Sequence, residues 1–140
     1  MKKYVVAAVL PLALVAVVGA VQSQTVDIAR WQQMSDAEFL SGAHLEDAEG
    51  VVPPRLNSQV SPKYTSEALR LKLQGTVTLK AIVMPDGTVA RARVVKSLDE
   101  RHGLDEEAVW AVLAWTFKPG TFNGQPAPVA AEIVMEFRIH

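Results

Sequence analysis

Cysteine is absent from the 140-residue chain, which excludes disulfides, thiolate metal sites and a cysteine nucleophile. This absence does not indicate a compartment, because a chain without thiols tolerates an oxidising space as well as a reducing one. Two other enzyme signatures are also lacking. No serine lies in a nucleophile elbow, and no glycine-rich loop is placed to hold a phosphate. The sequence therefore predicts no enzyme, no catalytic residue and no cofactor.

An excess of positive charge is missing as well. Lys and Arg number 14 against 15 Asp and Glu. Setting aside the two lysines at the extreme N-terminus leaves 12 basic residues against 15 acidic ones. Proteins that bind nucleic acid draw their affinity from clustered Lys and Arg, so a nucleic-acid partner is not expected. Apolar residues make up 49% of the chain and charged residues 21%, which is typical of a globular protein.

The N-terminal segment, residues 1–23, has two interpretations. The run Tyr4–Val21 carries no charge and follows two lysines. It has the features of a secretory signal that is cleaved near Ala20 or Ser23. The alternative is an uncleaved membrane anchor, since a helix of this length spans about 27 Å. Pro11 and the small residues at the end of the run favour the signal, and both interpretations export the residues that follow.

Residues 24–59 are predicted to form a tether or arm. Ser35-Asp36-Ala37-Glu38 has the spacing of a capping box and indicates a short helix from Asp36 to Leu40. Pro53 and Pro54 favour an extended stretch after it. An apolar side for the helix is offered by Ile28, Trp31, Met34 and Phe39.

Residues 60–140 contain clear signals for helix starts, helix ends and turns. Thr65 or Ser66 is placed to cap a helix over residues 67–73, with Gly75 as its stop. Two β-rich runs, 76–83 and 88–96, flank the turn Pro85-Asp86-Gly87 and predict a hairpin. A second helix is expected from Gly103 through Trp115, and Pro119 ends it.

The closing run alternates between apolar and polar residues after an Asn123-Gly124 turn. Side chains at odd positions from Val129 to Ile139 form an apolar row, which predicts a strand with one buried face. The order is then α-β-β-α-β. We expect an α+β fold, a small two-layer domain in which a three-stranded antiparallel sheet carries both helices on one face.

Several polar groups are candidate sites that the sequence itself does not favour. Asp99, His102 and Asp105 have the spacing of metal ligands, but a polar loop that runs into an acidic helix start explains them better, so no metal site is expected. Glu106 and Glu107 point about 100° apart on a helix and make a poor acid/base pair. A basic patch is a further alternative to an ordinary solvated surface; its members are Arg70, Lys72, Arg91, Arg93 and Lys96.

Residues 60–140 resemble the C-terminal domain of the TonB family. The resemblance comes from short motifs in the family's order, such as Ser61-Pro62-Lys63-Tyr64, Pro85-Asp86-Gly87 and Trp115-Thr116-Phe117-Lys118-Pro119. The motif positions expected to have structural roles are Pro62, Tyr64, Gly75, Asp86, Gly87, Leu104, Asp105, Trp115, Phe117, Pro119 and Gly124.

The resemblance implies a cell-envelope adaptor that is not an enzyme and faces the periplasm. TonB is anchored in the inner membrane with ExbB and ExbD, and it transmits energy to outer-membrane receptors through a short segment of theirs, the TonB box. The implied partner is such a receptor or another envelope protein, with ExbB/ExbD-like motor proteins if the chain is anchored, or a second copy of this chain. The implied contact is an edge strand, made here of Val129, Ala130, Ala131, Glu132, Ile133, Val134, Met135, Glu136, Phe137, Arg138 and Ile139.

Three departures from the family's pattern bear on motor coupling or on local structure. Membrane segments of the energised family usually carry a His, often with a Ser, that faces the motor proteins, and the run Tyr4–Val21 holds neither residue. No long Pro-rich spacer follows it, and residues 24–60 reach at most roughly 120–130 Å when fully extended. Thr65 follows Tyr64 where the family often has proline. Two hypotheses follow, an energy transducer for an outer-membrane transporter and a secreted periplasmic module without motor coupling.

Overall fold

A computed structural model describes residues 26–139 of the chain, and the predicted leader, residues 1–23, lies outside this range. Within it the helices are α1 (Ile28–Gln33), α2 (Asp36–Phe39), α3 (Ser66–Arg70) and α4 (Leu104–Leu113). The strands are β1 (His44–Leu45), β2 (Val51–Val52), β3 (Arg55–Ser58), β4 (Gly75–Val83), β5 (Val89–Lys96), β6 (Thr116–Lys118), β7 (Thr121–Phe122), β8 (Gln125–Pro126) and β9 (Val129–Phe137). None of the helices in this range is long and apolar enough to cross a membrane.

The main sheet has the strand order β1-β9-β4-β5. Its three long strands are antiparallel, with β4 in the centre. The predicted α+β fold is confirmed, and its α-β-β-α-β order appears as α3-β4-β5-α4-β9. The structure adds β1 as a short fourth strand, parallel to β9. It also adds two small sheets, β2-β7-β8 and β3-β6, which tie residues 51–58 to the segment after α4.

The main core lies between one face of the sheet and the helices α3 and α4. Alternate residues of β4 point into it because strand side chains alternate between faces, and α4 contributes residues at helical spacing. Tyr64 closes one end of this core: its ring meets Phe137 edge-on at 5.5 Å and its hydroxyl donates to the Leu73 carbonyl at 2.6 Å. The completely buried members include Ala68, Val77, Leu79, Ala81, Leu104, Ala108 and Val112.

The β4–β5 hairpin turn is built as its sequence predicts. The Asp86 carboxylate accepts hydrogen bonds from the Thr88 hydroxyl at 2.6 Å and the Thr88 N–H at 3.0 Å, and these bonds lower the pKa of Asp86. Gly87 has φ +88°, and an added Cβ would lie 2.2 Å from the Phe117 carbonyl oxygen. Glycine is needed here for both reasons, because the turn packs directly on β6.

Both core helices end earlier than the sequence predicts. Helix α3 stops at Arg70 and not at residue 73, because Lys72 takes a left-handed conformation with φ 58°. Helix α4 stops at Leu113, so Trp115 lies just beyond it and Pro119 follows strand β6. Trp115 is nevertheless buried, with 8% of its surface exposed.

The second face of the sheet is partly covered by residues 28–43 of the arm. The predicted capping box is present at Ser35 and Glu38, and it starts helix α2. This helix places Phe39, which is completely buried, against Ile82 of β4 and Ala130 of β9. Trp31 and Met34 pack around the same cluster. The arm therefore adds a partial third layer to the two predicted ones.

Two arginines of β5 hold this layer in place. Arg91 donates to the carbonyls of Phe39 at 2.8 Å and Ser41 at 2.9 Å. Arg93 forms an ion pair with Asp36 and donates to the Met34 carbonyl at 2.6 Å. Both guanidinium groups lie over the Phe39 ring. The surface interpretations of these two arginines, as a basic patch or a solvated face, are therefore wrong, because the arm occupies them.

Candidate partner-binding edge

Strand β9 pairs with β4 along its whole length, from Val129 opposite Val83 to Phe137 opposite Gly75. The odd-numbered side chains of the strand are buried, and those from residue 131 to residue 137 belong to the main core. The even-numbered ones from 132 onward point to the other face and are exposed, and Val134 is 64% exposed. Arg138 and Ile139 lie beyond the strand, where the Ile139 N–H donates to the Gln74 side chain at 2.8 Å.

The outer edge of β9, opposite β4, has only a short partner among residues 26–139. Strand β1 pairs with Val129 and Ala130 alone. Beyond them the Glu46 carboxylate accepts the hydrogen bond of the Glu132 N–H at 2.6 Å. No strand in the described part of the chain pairs with this edge from residue 131 to residue 137.

The geometry decides which backbone groups are offered at this edge. In an antiparallel ladder, alternate residues direct their N–H and C=O groups to opposite neighbours. Since the Glu132 N–H points outward, those of Val134 and Glu136 do so too. No strand among residues 26–139 pairs with the outward groups of these two residues, and their spacing is the one that an added strand requires.

Charged side chains flank the edge without covering it. Glu136 forms an ion pair with Arg138, and both are exposed. Glu132 lies opposite Lys80 of β4 in the register. Such charges discourage indiscriminate strand pairing while they leave the backbone accessible.

The family-motif positions lie mostly in the scaffold that supports β9. Pro62 and Tyr64 precede α3, Gly75 begins β4, and Leu104 opens α4. Gly75 has φ +150°, and its missing side chain leaves room for Leu98. Asp86 and Gly87 make the hairpin turn, Trp115, Phe117 and Pro119 follow α4, and Gly124 sits in the turn between β7 and β8.

The acidic loop before α4 has a structural role, because the carboxylates of Asp99 and Asp105 accept backbone hydrogen bonds that hold the loop on the start of the helix. The Asp99 carboxylate accepts hydrogen bonds from the backbone N–H groups of Arg101, His102 and Leu104, and it lies 2.9 Å from the His102 ring. Asp105 accepts from the N–H groups of Leu98 and Asp99. In the described residues no group of three or more His, Asp or Glu is arranged to hold a metal ion.

We expect Asp99→Asn to destabilise the protein at neutral pH by about 1–3 kcal/mol, because the amide cannot replace a charged acceptor of several N–H groups. Burial alone would raise the pKa of Asp99, but the hydrogen bonds from His102, Leu104 and Arg101 outweigh it and hold the pKa below 3.8. The stabilisation is therefore present above the unfolded-state pKa and is lost as the pH falls through the lower folded-state value.

The measurement is urea unfolding of wild type and Asp99→Asn between about pH 2 and pH 7. The difference in unfolding free energy should be constant near neutral pH and should shrink below about pH 4. The exposed Glu100→Gln variant next to it serves as a control for loss of charge. A difference that does not change with pH would contradict this account of Asp99.

A cavity of about 540 Å³ lies at the opposite edge of the sheet, between α1, α4 and the end of β5. Its lining includes Ile28, Val94 and Val109 together with Glu100 and Arg101. The cavity is open to solvent, and Asp105 and Glu106 of α4 also belong to its lining.

Sequence reasoning did not identify His44, Leu45 and Glu46 as neighbours of β9. They lie in the arm, 86 positions before Glu132 in the case of Glu46. The sequence signal that could have indicated this is the apolar series with Trp31, Met34 and Phe39, because an apolar helix face has to pack against another part of the protein.

A family comparison covers the part of the chain that forms the three long strands of the main sheet and its core helices. The family described as "Gram-negative bacterial TonB protein C-terminal" matches residues 60–139. The chain therefore belongs to the TonB C-terminal domain family.

Two proteins of Pseudomonas aeruginosa are similar to this chain. Protein tonB2 is 30% identical over 80 residues, which are 57% of this chain and 29% of that protein. The chain thus matches less than a third of that relative's length. The solution NMR structure of the P. aeruginosa TonB CTD is similar with a TM-score of 0.48 and 22% identity, over 69% of this chain and 93% of that one.

Proposed function

We propose that the protein is a non-enzymatic adaptor of the cell envelope that binds a partner protein by adding an extended segment of it to the outer edge of β9. The observation that carries the proposal is the pair of outward backbone positions at Val134 and Glu136, on a strand that pairs with β4 along its whole length. Membership of the TonB C-terminal domain family supports an outer-membrane TonB-dependent transporter as the partner. It also supports a periplasmic location.

The second candidate is a periplasmic binding module without motor coupling. The packed arm favours it, because Phe39, Arg91 and Arg93 hold residues 28–43 on the sheet, and a docked arm cannot act as a long tether. An ExbB/ExbD-like motor is a partner only in the anchored form. The intact mass of the protein from the envelope fraction separates the two, since loss of residues 1–23 removes any anchor.

A proline at position 134 tests the proposed edge. The Val134 N–H points away from β4, so Val134→Pro removes an outward donor without breaking a bond to β4. We expect this variant to bind partner peptide about tenfold or more weakly, because one ladder bond is lost and the ring obstructs the edge. Val134→Ala is the matched control, since it removes an exposed side chain and keeps the N–H.

The measurement is an NMR titration with ten-residue peptides that tile the N-terminal periplasmic segment of an outer-membrane TonB-dependent receptor. Peptide should shift amide signals between Val129 and Ile139 in wild type and in Val134→Ala. If no peptide shifts these signals, the edge site is wrong. Sedimentation at increasing protein concentration identifies the competing occupant, a second copy paired through the same strand.

A further inference from the structure

Both long edges of the main sheet are partly closed by side chains of the arm, but in different ways. At the β5 edge, the Gln32 amide donates to the Val94 carbonyl at 2.8 Å and accepts from the Val94 N–H at 2.9 Å. It thus satisfies a donor and an acceptor, as a neighbouring strand would. At the β9 edge, Glu46 accepts from the Glu132 N–H. An ionised carboxylate has no N–H to offer, so it cannot satisfy the carbonyls of this edge.

Residues 44–46, which we name the edge flap, are the weakly held part of the arm. Before the flap, the arm is fixed by the buried Phe39. After it, the chain is fixed by β2 pairing with β7. The flap itself is held on β9 by two ladder residues and the single Glu46 bond, with Leu45 45% exposed. His44 at its start stacks on Phe122 at 4.1 Å.

The flap lies where an added strand must begin. The Glu132 N–H is the first outward donor beyond β1, two residues before that of Val134. A partner strand that pairs along β9 needs this donor, and the Glu46 carboxylate already occupies it.

We propose that the edge flap regulates the β9 site by competition: Glu46 holds the first ladder position, and its release from Glu132 accompanies binding of the partner strand. This inference rests on the proposed function, since it concerns the same edge. It assigns Glu46 a gating role that is separate from folding, because its contact lies on the surface and outside both cores.

The test compares Glu46→Ala with Glu49→Ala. Both changes remove a glutamate from the same loop, where Glu46 is half-buried and Glu49 is exposed. Of the two, only Glu46 forms a hydrogen bond to β9 among residues 26–139. Without peptide, Glu46→Ala should speed hydrogen exchange of the Glu132 amide, whereas Glu49→Ala should not. With the receptor peptides described above, Glu46→Ala should bind about two- to tenfold more tightly than wild type, the range expected from one hydrogen bond.

Glu46→Gln separates occupancy from charge. Glutamine keeps an acceptor for the Glu132 N–H and adds a donor. If Glu46 acts by occupying this N–H, Glu46→Gln should bind the receptor peptides no more tightly than wild type does. If Glu46→Gln instead binds as tightly as Glu46→Ala, charge repulsion explains the effect and the flap proposal is overturned.

The remaining outcomes distinguish the flap from the site. If peptide shifts the signals of residues 129–139 but binds Glu46→Ala no more tightly than wild type, the flap is wrong and the edge site stands. If peptide shifts these signals in neither protein, the edge site fails and the flap fails with it. Tighter binding to Glu46→Ala alone, with faster exchange at Glu132, supports both.

Discussion

Replacing Trp115 by alanine is expected to lower the free energy of unfolding by about 3–5 kcal/mol, the usual cost of truncating a large buried aromatic side chain. Only 8% of Trp115 is exposed, and its ring lies 6.3 Å from that of Phe117. Its indole N–H also donates to the Val60 carbonyl at 2.8 Å. The residue thus joins the end of α4 to the segment that leads into α3. Urea unfolding, with the m-value compared between variants, measures the loss.

Trp110 provides the matched control within the same helix region. It is 46% exposed, so Trp110→Ala should cost less than about 1 kcal/mol, as for most surface substitutions. Trp115→Phe keeps most of the apolar ring but loses the bond to Val60, so its cost should lie between the two. A loss below 1 kcal/mol for Trp115→Ala would show that the ring is not a core anchor.

The sequence predicts the periodic parts of this fold because their information is local. The alternation from residue 129 to 137 and the Pro85-Asp86-Gly87 turn each specify a structure within a few residues. The burial of Trp115 follows from its apolar character and is correct although the helix ends before it. The resemblance to the TonB family adds which strand to consider as an edge.

The helix ends could not be predicted in the same way. Leu71 and Leu73 are good helix formers, so the sequence favours a helix through them. The chain instead turns at Lys72, whose positive φ has no signature in the residue type. Likewise, the sequence favours a polar loop at Asp99 and Asp105 over a metal site, but their spacing does not specify which backbone N–H groups the two carboxylates accept.

The arm's contacts depend on distant pairs, which no local pattern specifies. Gln32 reaches Val94 across 62 positions, and Glu46 reaches Glu132 across 86. Alternation indicates that Arg91 and Arg93 are on a polar surface, but it does not indicate that another segment covers that surface. The half of the candidate site that the flap contributes was therefore beyond sequence reasoning.

The second large effect is expected for Phe39→Ala, which should lower the free energy of unfolding by about 3–5 kcal/mol. Phe39 is completely buried on the second face of the sheet. Its ring also lies under the guanidinium groups of Arg93, at 4.5 Å, and Arg91, at 5.6 Å. Loss of the ring leaves a cavity against Ile82 and removes these cation–π contacts. Urea unfolding gives the global effect, and hydrogen exchange shows where protection is lost.

Phe39→Leu is the matched variant, because it keeps most of the apolar volume and removes only the ring; we expect a cost of about 1–2 kcal/mol. Exchange should quicken in residues 28–46 of Phe39→Ala while the centre of β4 stays protected. This pattern separates the anchor from the flap: Glu46→Ala should expose the Glu132 amide and change the unfolding free energy by less than about 1 kcal/mol. If residues 28–46 stay protected from hydrogen exchange in Phe39→Ala, then Arg91, Arg93 and Gln32 hold the arm without Phe39. Movement of the flap would in that case begin at those contacts and not at Phe39.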